Sequence, residues 1–488
     1  MNESQIKKQT IKASKWSIIT EISVKLITPI SNMILARLLL PSSFAAVAII
    51  NMVISFADLF TDAGFQKYLI QKEFKDDEHF SNSISVAFFS NLFFSLLILL
   101  FIVLFRNNIA VLVGNGKLGN GIAVASLALI MTSFSSIQNA VFKRFFDFKV
   151  LFITRICSAL IPLIITIPLA IILKSYWAIV LGTLCGKLFE AIFLTIKSKW
   201  KPKLFYKFSL FKEMISFSAW TMVESFVVWL TIWIGVFIVG HTMSEYYTGL
   251  YTTGINTVNS IMSIVVSSST SVLFPSLSRL KNNQKEYLNM FFLFQKVVSM
   301  FVFPMGIGML VYQNEITTLL LGNKWKEASV LIGIWGFCYA FSIVFGNLAS
   351  EVYRSAGKPK LSVLAQILHI VVLIPICYYA SKISFVYLSY FRSLSRFEFV
   401  FVHIVILKTI FKIPIVEMLK NVTPFIVFSL IMGLLGYSFH LISSNYYFLI
   451  FSIIICAIVY VSLLLLYKPT RETMINTKTI FLKGKGAI

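Results

Sequence analysis

The chain has 488 residues, of which 58% are hydrophobic and 13% charged, and 43 Lys and Arg against 20 Asp and Glu give it a formal net charge of +23. Its mean hydropathy is +0.84, and apolar runs of about 20 residues, the length that crosses bilayer hydrocarbon, recur from end to end. The pattern excludes a soluble multidomain enzyme and a nucleic-acid-binding protein. It also assigns the positive charge to loops on the cytoplasmic side of a membrane. The fold class is all-α and polytopic, because hydrocarbon offers the backbone no hydrogen-bond partner outside the helix itself.

Fourteen spans are expected, near 16–37, 44–64, 82–105, 118–140, 150–173, 175–196, 213–240, 248–274, 290–312, 327–350, 361–381, 383–407, 422–443 and 446–467. In the first span Ser17, Glu21, Lys25, Thr28 and Asn32 fall on one helical face. Asn51, Ser55, Asp58 and Asp62 do the same in the second. The following loop carries Asp76-Asp77-Glu78-His79, which reads as solvated surface rather than a metal site. Gly114 to Gly119 spells GxGxxG between two spans. With no strand before it, a dinucleotide site is rejected. In the sixth span Lys187 and Glu190 are expected to pair, and Gly182 and Gly186 to mark a close helix–helix contact.

Between the sixth and seventh spans, residues 197–212 carry six lysines and no acid. This strap reads as an interfacial linker on anionic headgroups, with Trp200, Phe205 and Tyr206 at the lipid boundary. In the eighth span Asn256, Ser260, Ser263 and Ser267 repeat the second span's stripe at an offset of 205, and Trp16 and Trp220 stand 204 apart. Two parallel, pseudo-symmetric six-helix lobes are therefore expected, a common transporter plan. Their bounds are 1–196 and 213–407, joined by 197–212 and followed by two extra spans and a basic tail over 408–488. With a cytoplasmic N-terminus, 30 of the 43 Lys and Arg fall on the inner side and seven on the outer, so both termini are placed inside. The five cysteines all sit in apolar runs without CxxC spacing and read as core residues.

Five short blocks then resemble, in order, the bacterial polysaccharide (O-antigen, capsule and exopolysaccharide) flippases. They are Ile34-Leu-Ala-Arg-Leu-Leu-Leu-Pro-Ser-Ser-Phe44, Asp62-Ala-Gly-Phe-Gln-Lys-Tyr-Leu-Ile-Gln71, Phe274-Pro-Ser-Leu-Ser-Arg279, Leu321-Gly-Asn-Lys-Trp325 and Ser355-Ala-Gly-Lys-Pro359. The resemblance covers roughly residues 10–420. It departs from the family at Ala45, where Gly is usual, and in the seventh span, which has Glu224 in place of the usual acid near Trp233. The resemblance implies membership of the superfamily that also contains multidrug antiporters and the lipid II flippase. It implies movement of an undecaprenyl-diphosphate-linked oligosaccharide from the inner to the outer leaflet of the cytoplasmic membrane, with no enzymatic step.

Charges inside spans are costly and mark function. Arg392 and Arg396, one turn apart in the twelfth span, and Lys25 in the first are expected to bind the diphosphate or acidic sugars, with Asn32 beside them. The alternative pairs Lys25 with Glu21 and the arginines with acids on other helices. Asp58, Glu224 and Glu398 are candidates for a coupling H⁺ or Na⁺, with structural ion pairing as the alternative. No catalytic group, metal or bound cofactor is expected: His79, His241, His369, His403 and His440 lack zinc spacing, and GxxxxGK[ST] is absent. Expected partners are the lipid-linked substrate, membrane lipids and the polymerase or other assembly proteins of the polymer, the transporter itself being a monomer. Two other readings remain. A multidrug or cation antiporter of the superfamily predicts a cavity dominated by acids. A membrane glycosyltransferase or polymerase predicts a long outer loop, which the chain does not have.

Overall fold

A computed structural model describes residues 23–25, 27–62, 64–443 and 445–483, with side chains for all of these except Asp62, Trp220, Ser271 and 476–483. Ser17, Glu21, Trp16 and the side chains of Asp62 and Trp220, which carry parts of the expected stripes and repeat, lie outside that set. Every regular element among the described residues is helical. In order they are α1 (27–38), α2 (Pro41–Asp62), α3 (Phe65–Gln71), α4 (Asp77–Leu104), α5 (Arg106–Leu112), α6 (Gly119–Ala125), α7 (Leu127–Arg144), α8 (Phe148–Leu173), α9 (Trp177–Lys197) and α10 (Phe208–Thr242). Then follow α11 (Glu245–Leu280), α12 (Gln284–Val311), α13 (Gln313–Leu320), α14 (Ser329–Ser342), a π-turn (Ile343–Asn347), α15 (Leu348–Ser355), α16 (Lys360–Ile383), α17 (Phe385–Phe411), α18 (Ile415–Ile442), α19 (Tyr446–Leu466) and α20 (Lys468–Lys483).

Twelve stretches among the described residues are helical, apolar and long enough to cross a membrane. They fall on twelve of the expected spans and make this a multi-pass membrane protein. The two expected spans not among them have local causes. The first begins outside the described residues, and α17, 27 residues long, carries Arg392, Arg396 and Glu398.

The chain divides into two compact units, residues 1–252 and 253–488, with the division inside α11. The strap 197–212 and α10 both belong to the first unit. There α2 packs on α4, α7 and α10, α7 on α4 and α9, and α8 on α9. The glycines expected to bring helices together do so: a Cβ at Gly182 would overlap Thr166 of α8, and one at Gly186 would stand 2.7 Å from Pro162 Cγ. Lys187 Nζ lies 3.6 Å from Glu190 Oε2, the expected pair. Asp76 takes a plain structural role, accepting the His79 N–H at 2.6 Å as the N-cap of α4. Gly64, at φ 77°, turns α2 into α3 where a Cβ would meet Ser218 of α10 at 2.8 Å.

The aromatic residues of the strap meet protein. Trp200 stands 5.9 Å from Phe88 of α4, Phe205 packs on the cluster around Phe65, Phe88 and Met214, and the Tyr206 hydroxyl lies 3.1 Å from Ser90 Oγ. Trp200 and Phe205 are half-buried there, while the Tyr206 side chain stays exposed.

In the second unit α12 packs between α14 and α18, α14 on α17, α17 on α16, and α18 on α19. Two hydrogen bonds hold α19 on α12: Tyr312 Oη lies 2.7 Å from Ser452 Oγ, and Tyr460 Oη donates to Met300 O at 2.9 Å. The Ser355–Pro359 block is a helix stop. Gly357 takes φ +72°, and the N–H groups of Gly357 and Lys358 close back on Arg354 and Tyr353 before Pro359 opens α16.

Candidate functional site

The ionisable side chains of α17 meet the wall formed by α14 and α16. Arg392 and Arg396, four residues apart, project from one face of α17. Both guanidinium groups lie over the indole of Trp335 on α14, at 4.6 and 4.7 Å from its centroid. A cation over an aromatic face gains about 0.5–2 kcal/mol, most where water is excluded. Trp335 and Arg392 are both buried. The ring is fixed from its edge by a hydrogen bond from Nε1 to Asn259 Oδ1 at 3.0 Å, and it stacks on Tyr339 at 5.8 Å. Arg392 Nη1 also donates to Ser395 Oγ at 3.3 Å, and Arg396 lies 5.7 Å from the Phe399 ring. Two positive charges are thereby concentrated at one aromatic platform.

Glu398 turns to another helix. Its Oε2 is 2.8 Å from Nδ1 of His369 on α16, and the imidazole is completely buried. A second histidine sits farther along: His403 Nδ1 is 2.9 Å from the hydroxyl of Tyr353, and the two rings stack at 5.6 Å. Between the histidines lies Phe399, which packs against Gly346 of the π-turn, where a Cβ would come within 2.9 Å of the phenyl ring. Single-turn π insertions of this kind are frequent at functional sites.

The other expected site residues belong to the first unit. Lys25, in the helical stretch 23–25, and Asn32 on α1 are both half-buried. Asp58 on α2 accepts from Thr132 Oγ1 of α7 at 3.3 Å. Glu224 is half-buried on α10, five residues before Trp229, whose Nε1 donates to Ser55 Oγ of the polar stripe at 3.0 Å. Trp335, Asn259 and His369 were not anticipated as site residues. Each belongs to the site through a partner on another helix, which residue spacing along one helix does not reveal. Among the described residues no three His, Cys, Asp or Glu side chains stand close enough to share a metal ion.

Comparison with known proteins places this architecture. The chain is similar to a membrane protein in the cps region of Klebsiella pneumoniae, 23% identical over 382 residues and 77% of each chain. It is 20% identical over 335 residues to the lipopolysaccharide biosynthesis protein WzxC of Escherichia coli K12, covering 66% of this chain and 65% of that one. With the succinoglycan biosynthesis transport protein ExoT of Rhizobium meliloti it shares 19% over 319 residues, 65% of this chain and 64% of that one. In fold it is similar to an inward closed structure of the lipid II flippase MurJ, with a TM-score of 0.74 at 14% identity over 93% of this chain and 98% of that one. An inward-facing multidrug transporter of the MATE family matches with a TM-score of 0.55 at 12% identity over 80% and 96%. The family model described as polysaccharide biosynthesis protein matches residues 34–330, more than half of the chain, and the protein belongs to that family.

Proposed function

We propose that the protein is a flippase, moving an undecaprenyl-diphosphate-linked oligosaccharide repeat unit from the inner to the outer leaflet of the bacterial cytoplasmic membrane by alternating access. The observation that carries the reading is the pair Arg392 and Arg396 over Trp335 in the wall of a membrane bundle. A guanidinium presents a fork of N–H donors that matches phosphate oxygens bidentately, so two of them at one platform suit a diphosphate. In this reading Lys25 and Asn32 help hold the substrate, Asp58 and Glu224 serve as further polar groups along its path, and the termini face the cytoplasm. The coupling ion is H⁺, carried by Glu398 with His369. The same fold is found in multidrug transporters, but the charges gathered at the Trp335 platform are two guanidinium groups, which repel a cationic cargo.

The test is the fate of the substrate in cells carrying Arg392→Ala with Arg396→Ala at wild-type membrane level. Complete lipid-linked repeat units are expected to accumulate on the inner face of the membrane. Wild-type export in that variant overturns the assignment, and export of single unlinked units points instead to a polymerase.

A further inference from the structure

A second polar site lies in the first unit. Between α3 and the first turns of α10 opens a cleft of about 600 Å³ lined by Tyr68, Lys72, Ser209, Lys212, Glu213, Ser216 and Phe217. The α10 residues recur at intervals of three or four and share one helical face. Phe217 is one turn before Thr221, where the membrane-crossing part of α10 begins. At 1.5 Å per residue the cleft therefore sits just outside the apolar zone, at the depth of lipid headgroups.

Its chemistry is that of an anion site. Lys207 N-caps α10 without a side-chain hydrogen bond, so the N–H groups of Phe208 and Ser209 keep the partial positive charge of a helix start. Lys72 lies over the Tyr68 ring at 5.1 Å and forms an ion pair with Glu213, while Lys212 is exposed beside it. A second observation is independent of the helix end. The Tyr68 side chain is 1% exposed, and its hydroxyl is buried without a hydrogen-bond partner. Burial raises the pKa of that phenol, which keeps it a donor. The strap that leads into α10 adds lysines and no acid.

We propose that this cleft binds the phosphate of an anionic lipid headgroup, with Lys72 and Lys212 as charge partners and Ser209 and Ser216 as hydroxyl donors. Glu213 occupies Lys72 in the absence of the phosphate and competes with it. The site is separate from the transport reading above and stands if that reading fails.

Melting of the full-length protein in neutral detergent tests it, with phosphatidic acid, phosphatidylcholine or inorganic phosphate added. Phosphatidic acid is expected to raise the melting temperature, and phosphatidylcholine is not. Lys212→Ala is expected to raise the half-saturating lipid concentration about tenfold, the weight of one charge-assisted hydrogen bond. Glu213→Gln is expected to lower it about threefold, since removing the competitor frees Lys72. This gain keeps the test decisive even if Lys212→Ala does not fold. Identical titrations of wild type, Lys212→Ala and Glu213→Gln overturn the site. An equal shift from inorganic phosphate at the same concentration overturns the lipid assignment.

Discussion

His369 and Glu398 meet across the α16–α17 interface, Nδ1 to Oε2 at 2.8 Å, with the imidazole wholly buried and the carboxylate a quarter exposed. In the proposed reading the coupling proton enters and leaves this pair through the exposed side of the carboxylate. The charged and titratable groups that act on the pair are Arg392, Arg396 and His403 on α17. His403 is already held by Tyr353. Glu398→Gln retains the hydrogen bond but not the exchangeable charge. In vesicles with an imposed pH gradient, it is expected to reduce gradient-stimulated transport about fivefold or more, the low end of usual coupling energies, with substrate affinity kept. An unchanged response assigns coupling elsewhere.

Trp335 separates the aromatic platform from its hydrogen bond. Trp335→Phe keeps a face for Arg392 and Arg396 but loses the bond to Asn259, worth about 0.5–1.5 kcal/mol. Trp335→Leu loses both. Transport by the Leu variant is expected to fall about tenfold below that of the Phe variant, at equal amounts of protein in the membrane. Equal rates for the two variants indicate that the ring only fills space.

The helical class and the positions of twelve spans were legible in the sequence, and the same local composition is what singles out Arg392 and Arg396 for attention. A run of 20 apolar residues has few alternatives, and a guanidinium inside such a run needs a reason to be there. What was not legible depends on helix register. The partner of Glu398 is 29 residues away on α16 and that of Trp335 is 76 away on α11, and spacing within one helix carries no information about either. The scattered histidines looked idle because they were judged against zinc spacing, whereas His369 and His403 each pair with one group across an interface. The strap's aromatics were read against lipid because nothing local tells that Trp200 meets Phe88.

Two glycines give a matched stability test. At Gly249 on α11 an added Cβ would overlap the carbonyl of Pro41 at the start of α2, and the contact is backbone to backbone. At Gly308 on α12 nothing lies within 4 Å. Gly249→Ala is therefore expected to destabilise by about 1–3 kcal/mol. Gly308→Ala is expected to be neutral or stabilising by up to about 1 kcal/mol from helix propensity. Melting curves of the two variants side by side check this. Equal midpoints would mean that α11 slides away from Pro41 without loss.

Arg144, at the end of α7, holds the C-terminus of α3. Its Nη1 donates to the carbonyls of Leu69, Ile70 and Lys72 at 2.9, 3.3 and 2.8 Å, and its guanidinium lies 4.8 Å from the rings of both Phe74 and Phe80. A helix end leaves its last carbonyls without intrahelical partners, and a cation there also complements the helix dipole. Lys keeps the charge but not the planar fork that lies on two aromatic faces. Arg144→Lys is expected to cost about 2 kcal/mol locally and to loosen the segment that carries Tyr68 and Lys72. Hydrogen exchange at residues 65–76 reads this directly: faster exchange there, with α8 and α9 unchanged, is the expected result. Uniform acceleration throughout the first unit would instead make Arg144 part of its global stability, and unchanged exchange would show that other contacts hold α3.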